Sequence, residues 1–492
     1  MSPKDIEQAA ASLNSQFQQG RISRRQFMTA LAATGLSAMG VSVLAACGTP
    51  APTAAPAAAP TAAPAAAATA APAAAAERPL TPTFYQWIED LHPAIKGTVN
   101  PQFPGLNYQI APTQGFDVAR FIAEAKAGES TWDTYVGVTP FVEMGQLIAS
   151  GVIEPWDPYL PKGLIDDLIP AIREECSVDG KLYVWPFLLD VIVSAQNNAL
   201  ISAAGLPDKI PADWDEYLAA AKTVMDKGVA KYGCTFDAHG WRSLVPITHS
   251  ISTKVYYNLE GDKTGFPLFD FTNDAAIQAL MIMKQMLELS SANALQPGST
   301  DGGVNSTPDE VAFAAELVAY YIKYQNAPLR FAQKWKDPAQ FRMGALPKAK
   351  GGEGGTAFWD TGAALFKYGK NKEKAAEYLK ALTYEPQIWK DSIAGSASGH
   401  PGQLPPYQSI YQDWAKAPPD WLTAQAWVPV VRAQLDVAKA IPNHQFGLTQ
   451  FQIGQPIWEK YLKGEEKDPK KVMQECKDAV VAEIKKSGCC GI

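Results

Sequence analysis

Histidine is scarce in this chain of 492 residues, and the five present (His92, His239, His249, His400, His444) are scattered. That scatter gives a metal site no nucleus. The six cysteines show no C-x-x-C pair and no metal-binding spacing. The C-terminal Cys489-Cys490-Gly491-Ile492 fits a prenylation box only superficially. Catalytic signatures are also missing. Gly395-Ser396-Ala397-Ser398-Gly399 carries alanine where a nucleophile elbow needs serine. The glycine-rich residues 351–355 lack the Lys-Ser/Thr with which a P-loop holds phosphate. No cofactor motif is found, and no enzymatic activity is expected. Positive charge is in deficit, with a net charge of −7 at pH 7, which excludes nucleic acid or anionic lipid as the main partner.

What is present begins with an address. Ser23-Arg24-Arg25-Gln26-Phe27-Met28 resembles the twin-arginine export motif of bacteria, and an alanine-rich apolar stretch, residues 28–46, follows it. It ends in Leu44-Ala45-Ala46-Cys47, which resembles a lipobox, the cysteine of which is acylated before cleavage. Residues 1–47 are therefore read as a lipoprotein signal peptide with Cys47 as the lipidated residue. Residues 48–77 are almost entirely Ala, Pro and Thr. Repeated prolines forbid continuous helix, and the composition cannot build a core. At roughly 3 Å per residue such a tether holds a domain several nanometres from a membrane. In an oxidising compartment the remaining cysteines are free to form a disulfide.

The folded part is organised around residues 179–222. Asp179-Gly180 is a tight turn, and residues 182–193 form an apolar run rich in aromatic and β-branched residues, too short to span a membrane. Asp213 with Glu216 makes a capping-box-like helix start. Before this stretch, strand signals at residues 81–88, 106–112 and 134–138 alternate with helical periodicity at residues 116–127 and 141–149. The alternation predicts parallel α/β architecture with ligand at the carboxyl ends of the strands, where Gln86, Trp87, Thr139 and Pro140 sit. After it, helices are expected at residues 214–227, 274–291, 308–324, 372–382, 450–463 and 469–486. Returning strands are expected at residues 233–236 and 344–347.

The order of several fragments is similar to the extracellular solute-binding proteins of ATP-driven importers, in particular the sugar and maltodextrin binders. These fragments are Phe84-Tyr85-Gln86-Trp87, residues 144–159, the passage Asp179-Gly180-Lys181-Leu182-Tyr183-Val184-Trp185-Pro186, and Asn197-Asn198 followed by Ala203-Ala204-Gly205-Leu206. Residues 346–352 and 370–376 continue the match. The resemblance implies a two-lobed periplasmic-binding-protein-like α/β fold of type II, its lobes discontinuous in sequence and joined by hinge crossings. Lobe 1 is expected to comprise residues 78–190 and 345–399, and lobe 2 residues 191–344 and 400–492. Crossings are expected near residues 189–192, 344–347 and 399–405. The resemblance further implies an exported monomer, lipid-anchored on the outer face of the cytoplasmic membrane. Such a protein captures a small solute and delivers it to the permease subunits of an ABC transporter.

Sugar rings present an apolar C–H face that stacks on indole or phenol, and their hydroxyls hydrogen-bond to Asp, Asn, Gln and Arg. The candidate ligand-binding residues are accordingly Trp87, Trp185, Trp241 and Trp359, with Gln86, Thr139, Asp190, Arg242 and Asp360 as polar partners. Trp132, Trp156 and Trp214 sit in turn or helix-start patterns and are read as packing. A non-sugar solute (polyamine, phosphate ester or peptide) and a lipid-anchored glycoside hydrolase are the competing readings. The charge of the cleft bears on the first of these, since an acidic cleft favours a cation and a basic one an anion.

Overall fold

Seven strands trace the main sheet: β1 (Pro82–Phe84), β2 (Gln109–Ile110), β3 (Thr134–Val138), β4 (Val184–Asn197), β5 (Tyr232–Phe236), β6 (Val318–Tyr324) and β7 (Thr356–Phe366). The computed structural model describes residues 78–491, apart from residues 112–117, 239, 292–293, 296–307, 351 and 353 and the side chains of Trp87 and Cys489. The expected signal peptide, the expected tether and Cys47 lie outside the described residues. The spatial order is β2-β1-β3-β7-β4-β6-β5, with three short strands added along β4 and β7. β1 is parallel to β2 and β3, and β5 is parallel to β6. β4 and β7 run antiparallel to each other through the middle, from Val184 opposite Ala364 to Val191 opposite Phe358.

Among the described residues three clusters of buried apolar side chains pack on this one sheet, and the two larger ones mark two lobes. The first gathers Phe84, Val136, Trp156, Trp185, Leu365, Tyr378 and Trp389. The second gathers Phe236, Leu244, Leu280, Tyr320, Trp458 and Val480. Side chains of this size each contribute about 2–3 kcal/mol on full burial, enough to hold each lobe together. Strand alternation is legible in β6, where Tyr320 enters the second core and Tyr321 packs with Phe313 and Trp335 on the opposite face.

Much of the local reading holds. Asp179 (φ 51°) and Gly180 (φ 73°) both take positive φ in a tight hairpin joining Ser177–Val178 to Lys181–Leu182. The Asp213 side chain accepts from the Glu216 N–H at 2.8 Å, and Glu216 returns the bond to the Ala212 N–H at 2.8 Å. Val472, Cys476, Val480 and Ile484 form the buried stripe of the closing helix Pro469–Ser487. Trp132, Trp156 and Trp214 are packing residues, all buried.

Other expectations are corrected. Residues 308–324 are not one helix. The helix Pro308–Ala314 ends before Glu316, which takes φ 55°, and the chain continues as β6. The run Val-Ala-Tyr-Tyr-Ile-Lys-Tyr is β-branched and aromatic, and pairing on both edges decides in favour of strand. The strand expected at residues 344–347 is Phe341–Gly344, and it pairs with the last four residues of β4. The polypeptide passes between the cores over Val191–Val193 in β4, at Ala357–Trp359 in β7, and between Leu435 and Ile441, where Ala438–Ala440 pairs with the start of β7. Residues 399–405 are not a crossing. Leu404 bridges Leu189, and Leu404, Tyr407, Trp427 and Leu435, expected in lobe 2, pack in the first core. Cys176, Cys234 and Cys476 are buried free thiols, whereas Cys490 is disulfide-bonded.

Candidate functional site

Parallel strands in each lobe aim their carboxyl ends at one cleft. In the first lobe β1 ends at Phe84 and delivers Tyr85, and β3 ends at Val138 and delivers Thr139. In the second lobe the chain leaving β5 enters the helix Trp241–Ile251, and β6 ends at Tyr324 and enters the helix Asn326–Ala332. Between them β4 and β7 contribute Asp190, Trp359 and Thr361. These groups surround a cavity of about 310 Å³, at the lower end of the ~300–1,000 Å³ usual for small-molecule sites.

One wall is aromatic. The Trp241 and Trp359 rings meet edge to face at 4.9 Å and 80°. Behind Trp241 stands Phe141 at 4.6 Å, and Tyr324 meets Trp359 at 5.7 Å. Both indoles are nearly buried, so their orientation is set by packing before any ligand arrives.

Polar groups converge on the same space. Asp190 Oδ1 accepts from Asn326 Nδ2 at 2.6 Å. Burial raises the Asp190 pKa to about 7, against the lowering effect of the Asn326 bond and of the Arg330 and Arg242 charges. Glu143 accepts from the Thr139 N–H at 2.9 Å, and burial pushes its pKa up to about 8. Asp90 is also raised, again mainly by burial. Two guanidiniums, Arg242 and Arg330, complete the lining with Gln403 and Pro401. Behind the crossing, Gln325 acts as a clamp. Its Oε1 takes the Val191 N–H at 2.5 Å, and its Nε2 donates to Leu189 O at 2.7 Å and Gly402 O at 3.3 Å.

Of the residues singled out from sequence, Thr139, Asp190, Trp241, Arg242 and Trp359 are brought together around this cavity. Trp185 and Asp360 are not among its lining. Asp190 and Trp359 are cross-strand partners on the cavity side, whereas Leu189 and Asp360 are the next pair and point the other way. Asp360 therefore sits fully buried, accepting from the Phe187 N–H at 3.2 Å and 3.3 Å beside Glu175 and Cys176. Burial holds both carboxyls well above the ordinary range, helped by the Asp360 charge at Glu175 and by the Asp190 charge at Asp360. Trp185 packs edge to face on Trp156 at 5.4 Å. Gln86 is exposed, because the chain turns into a short helix at Gln86–Ile88 and Tyr85 takes the cavity position instead. The Trp87 side chain lies outside the described residues. Sequence reasoning missed Tyr85, Glu143, Tyr324, Asn326 and Arg330. The spacing of Asn326 and Arg330, four apart on one helical face, was the available signal.

Away from the cavity, Asp262, His444 and Cys490 place donor atoms within 4.8 Å of one another. The Cys490 sulfur is committed to a disulfide, and His444 Nε2 pairs with Asp262 Oδ2 at 2.6 Å, so this cluster offers no thiolate.

The family model described as "Bacterial extracellular solute-binding protein" matches residues 80–387. The chain belongs to that family. Among solved structures it is similar to the GacH receptor of Streptomyces glaucescens GLA.O, known unliganded and with acarbose (TM-score 0.64, 17% identity, covering 82% of this chain and 97% of that one). It is equally similar to maltose-bound MalE3 of T. maritima (TM-score 0.64, 16% identity, 81% and 98% covered). A solute-binding protein of Agrobacterium vitis S4 with bound D-mannitol follows (TM-score 0.63, 18% identity, 83% and 99% covered). At these identities the likeness carries the fold, which is the two-lobed fold of solute-binding proteins. A comparison with curated proteins finds no match. The extracellular family implies export, and among the described residues no helix is long and apolar enough to cross a membrane.

Proposed function

We propose that this solute-binding protein captures a carbohydrate in the cleft between its lobes and delivers it to the permease of an ABC transporter, working as a monomer tethered through lipidated Cys47. The observation that carries the reading is the preformed wall of Trp241, Trp359 and Tyr324 beside Asp190, Asn326 and two arginines. Flat aromatic faces suit the C–H face of a sugar ring, and the polar groups suit its hydroxyls. Sugar ligands in the structurally similar proteins support the same assignment. Binding proceeds without chemistry: the lobes close over the solute, and the closed form is what the permease recognises.

A thermal-shift screen against sugars, polyamines, amino acids and phosphate esters tests this reading. A sugar at a hundred times its dissociation constant adds about 2.7 kcal/mol and raises the transition. A shift with a polyamine or amino acid and with no sugar would overturn it. The three cavity carboxyls, Asp90, Glu143 and Asp190, are the feature on which a hydrolase reading rests. Oligosaccharides incubated overnight with the protein are expected to emerge intact by chromatography, and turnover would revive that reading.

A further inference from the structure

The charged groups of the cleft are not evenly engaged, and this sharpens the kind of sugar it fits. Among the described residues neither the Arg242 nor the Arg330 guanidinium forms an ion pair or a hydrogen bond, and Arg330 Nε is buried with no hydrogen-bond partner. Both line the cavity, and both act electrostatically on Asp190 and Tyr324. The Arg242 guanidinium lies over the Trp241 ring, 4.8 Å from its centre, so charge and stacking surface are adjacent.

Resting on the carbohydrate reading above, we propose that the solute is an acidic sugar, the carboxylate of which is gripped by Arg242 and Arg330 while its ring lies against Trp241 and Trp359. Guanidiniums present planar forks matched to carboxylates, and neither of these two forks is taken up by an ion pair, so a uronate can supply one. The helix Trp241–Ile251 adds to this. Its N-terminal turn has no side-chain cap and no acidic residue, so its positive end is uncompensated where Trp241 and Arg242 meet the cavity.

Three acids line the cleft with the arginines, and Asp90 acts electrostatically with Arg330 but forms no ion pair with it. Asp190 is occupied by Asn326 and Glu143 by the Thr139 N–H. Burial raises both, to about 7 and about 8, so at neutral pH they carry less than full negative charge while the guanidiniums stay charged. A carboxylate suits this balance better than a phosphate monoester, the second charge of which would meet these acids.

Calorimetric titration of the full chain at pH 7 tests the proposal with matched pairs: galacturonic acid against galactose, and glucuronic acid against glucose, each also as short oligomers. Glucose 6-phosphate and the non-sugar acid glutarate complete the panel. The expected result is that one uronate series binds about tenfold or more tighter than its neutral partner. Arg330→Gln and Arg242→Gln should each weaken uronate binding more than neutral-sugar binding, and so remove most of that preference. Arg330→Lys, which keeps the charge without the fork, should fall between. Melting of each ligand-free variant at the wild-type temperature separates lost binding from lost folding. Equal or tighter binding of a neutral sugar, or of the sugar phosphate, would overturn the acidic-sugar proposal and leave the carbohydrate reading standing. Glutarate binding as tightly as the uronate, or no binding by any sugar, would overturn both.

Discussion

Replacing Asp190 by asparagine should make the protein progressively more stable than wild type as pH rises. Asp190 is only 4% exposed, on β4 at the passage between lobes, and has no ion-pair partner among the described residues. Its one short bond, from Asn326 Nδ2 at 2.6 Å, can be kept by the asparagine carbonyl oxygen. Burial lifts the folded-state pKa from 3.8 to about 7. Between those two values the folded protein holds a proton that the unfolded chain has released. Wild-type stability therefore falls as pH rises through this window, and the loss is complete above about pH 7. At about 1.36 kcal/mol per unit, the full window is worth about 4 kcal/mol, of which about 3 kcal/mol falls between pH 5 and pH 8. Urea unfolding of both proteins at several pH values measures it. Asp190→Asn should gain about 3 kcal/mol on wild type across that range, and the gap should stop widening above it. Parallel profiles, with a gap constant to within about 0.5 kcal/mol, would refute the assignment of a desolvated, proton-bearing carboxyl to this site.

Two further perturbations probe the frame that holds the cleft. Gln325→Leu leaves the buried Val191 N–H and Leu189 C=O without partners, and should lower stability by about 2–4 kcal/mol. A fall in the urea transition worth less than about 1 kcal/mol would mean that the clamp is dispensable. Gly362 lies at an irregularity in the β4–β7 pairing, and a Cβ there would stand 2.3 Å from Trp185 O and 2.7 Å from Asp360 Oδ2. The strands must part to admit it, so Gly362→Ala should yield little soluble protein or melt well below wild type, and an unchanged melting curve would contradict the close approach.

How far the sequence reaches is clear from particular residues. The turn at Asp179-Gly180, the cap at Asp213 and the stripe Val472–Ile484 are local devices, and each is where the pattern puts it. The second and third crossings are set by pairing between β7 and β4, more than 160 residues apart, and by Ala438–Ala440 joining β7, which leave no local trace. The same limit governs the site. β4 is buried along its whole length, so hydrophobicity does not tell which of its residues face the cleft, and Trp185 and Asp190 look equally eligible. Only the register, Asp190 against Trp359, decides. Gln86 and Asp360 stand one residue from Tyr85 and Trp359, the distance that turns a side chain to the other face of a strand or out of the cavity at a strand end.

The central claim is that a sugar is held against the Trp241 and Trp359 rings. Equilibrium titration of wild type, Trp241→Ala and Trp359→Ala with the sugar found by screening tests it most directly, once ligand-free melting has confirmed that each variant is folded. The account predicts that each alanine weakens binding by about 1–3 kcal/mol, roughly five- to 150-fold in dissociation constant. Wild-type affinity in both folded variants would contradict it.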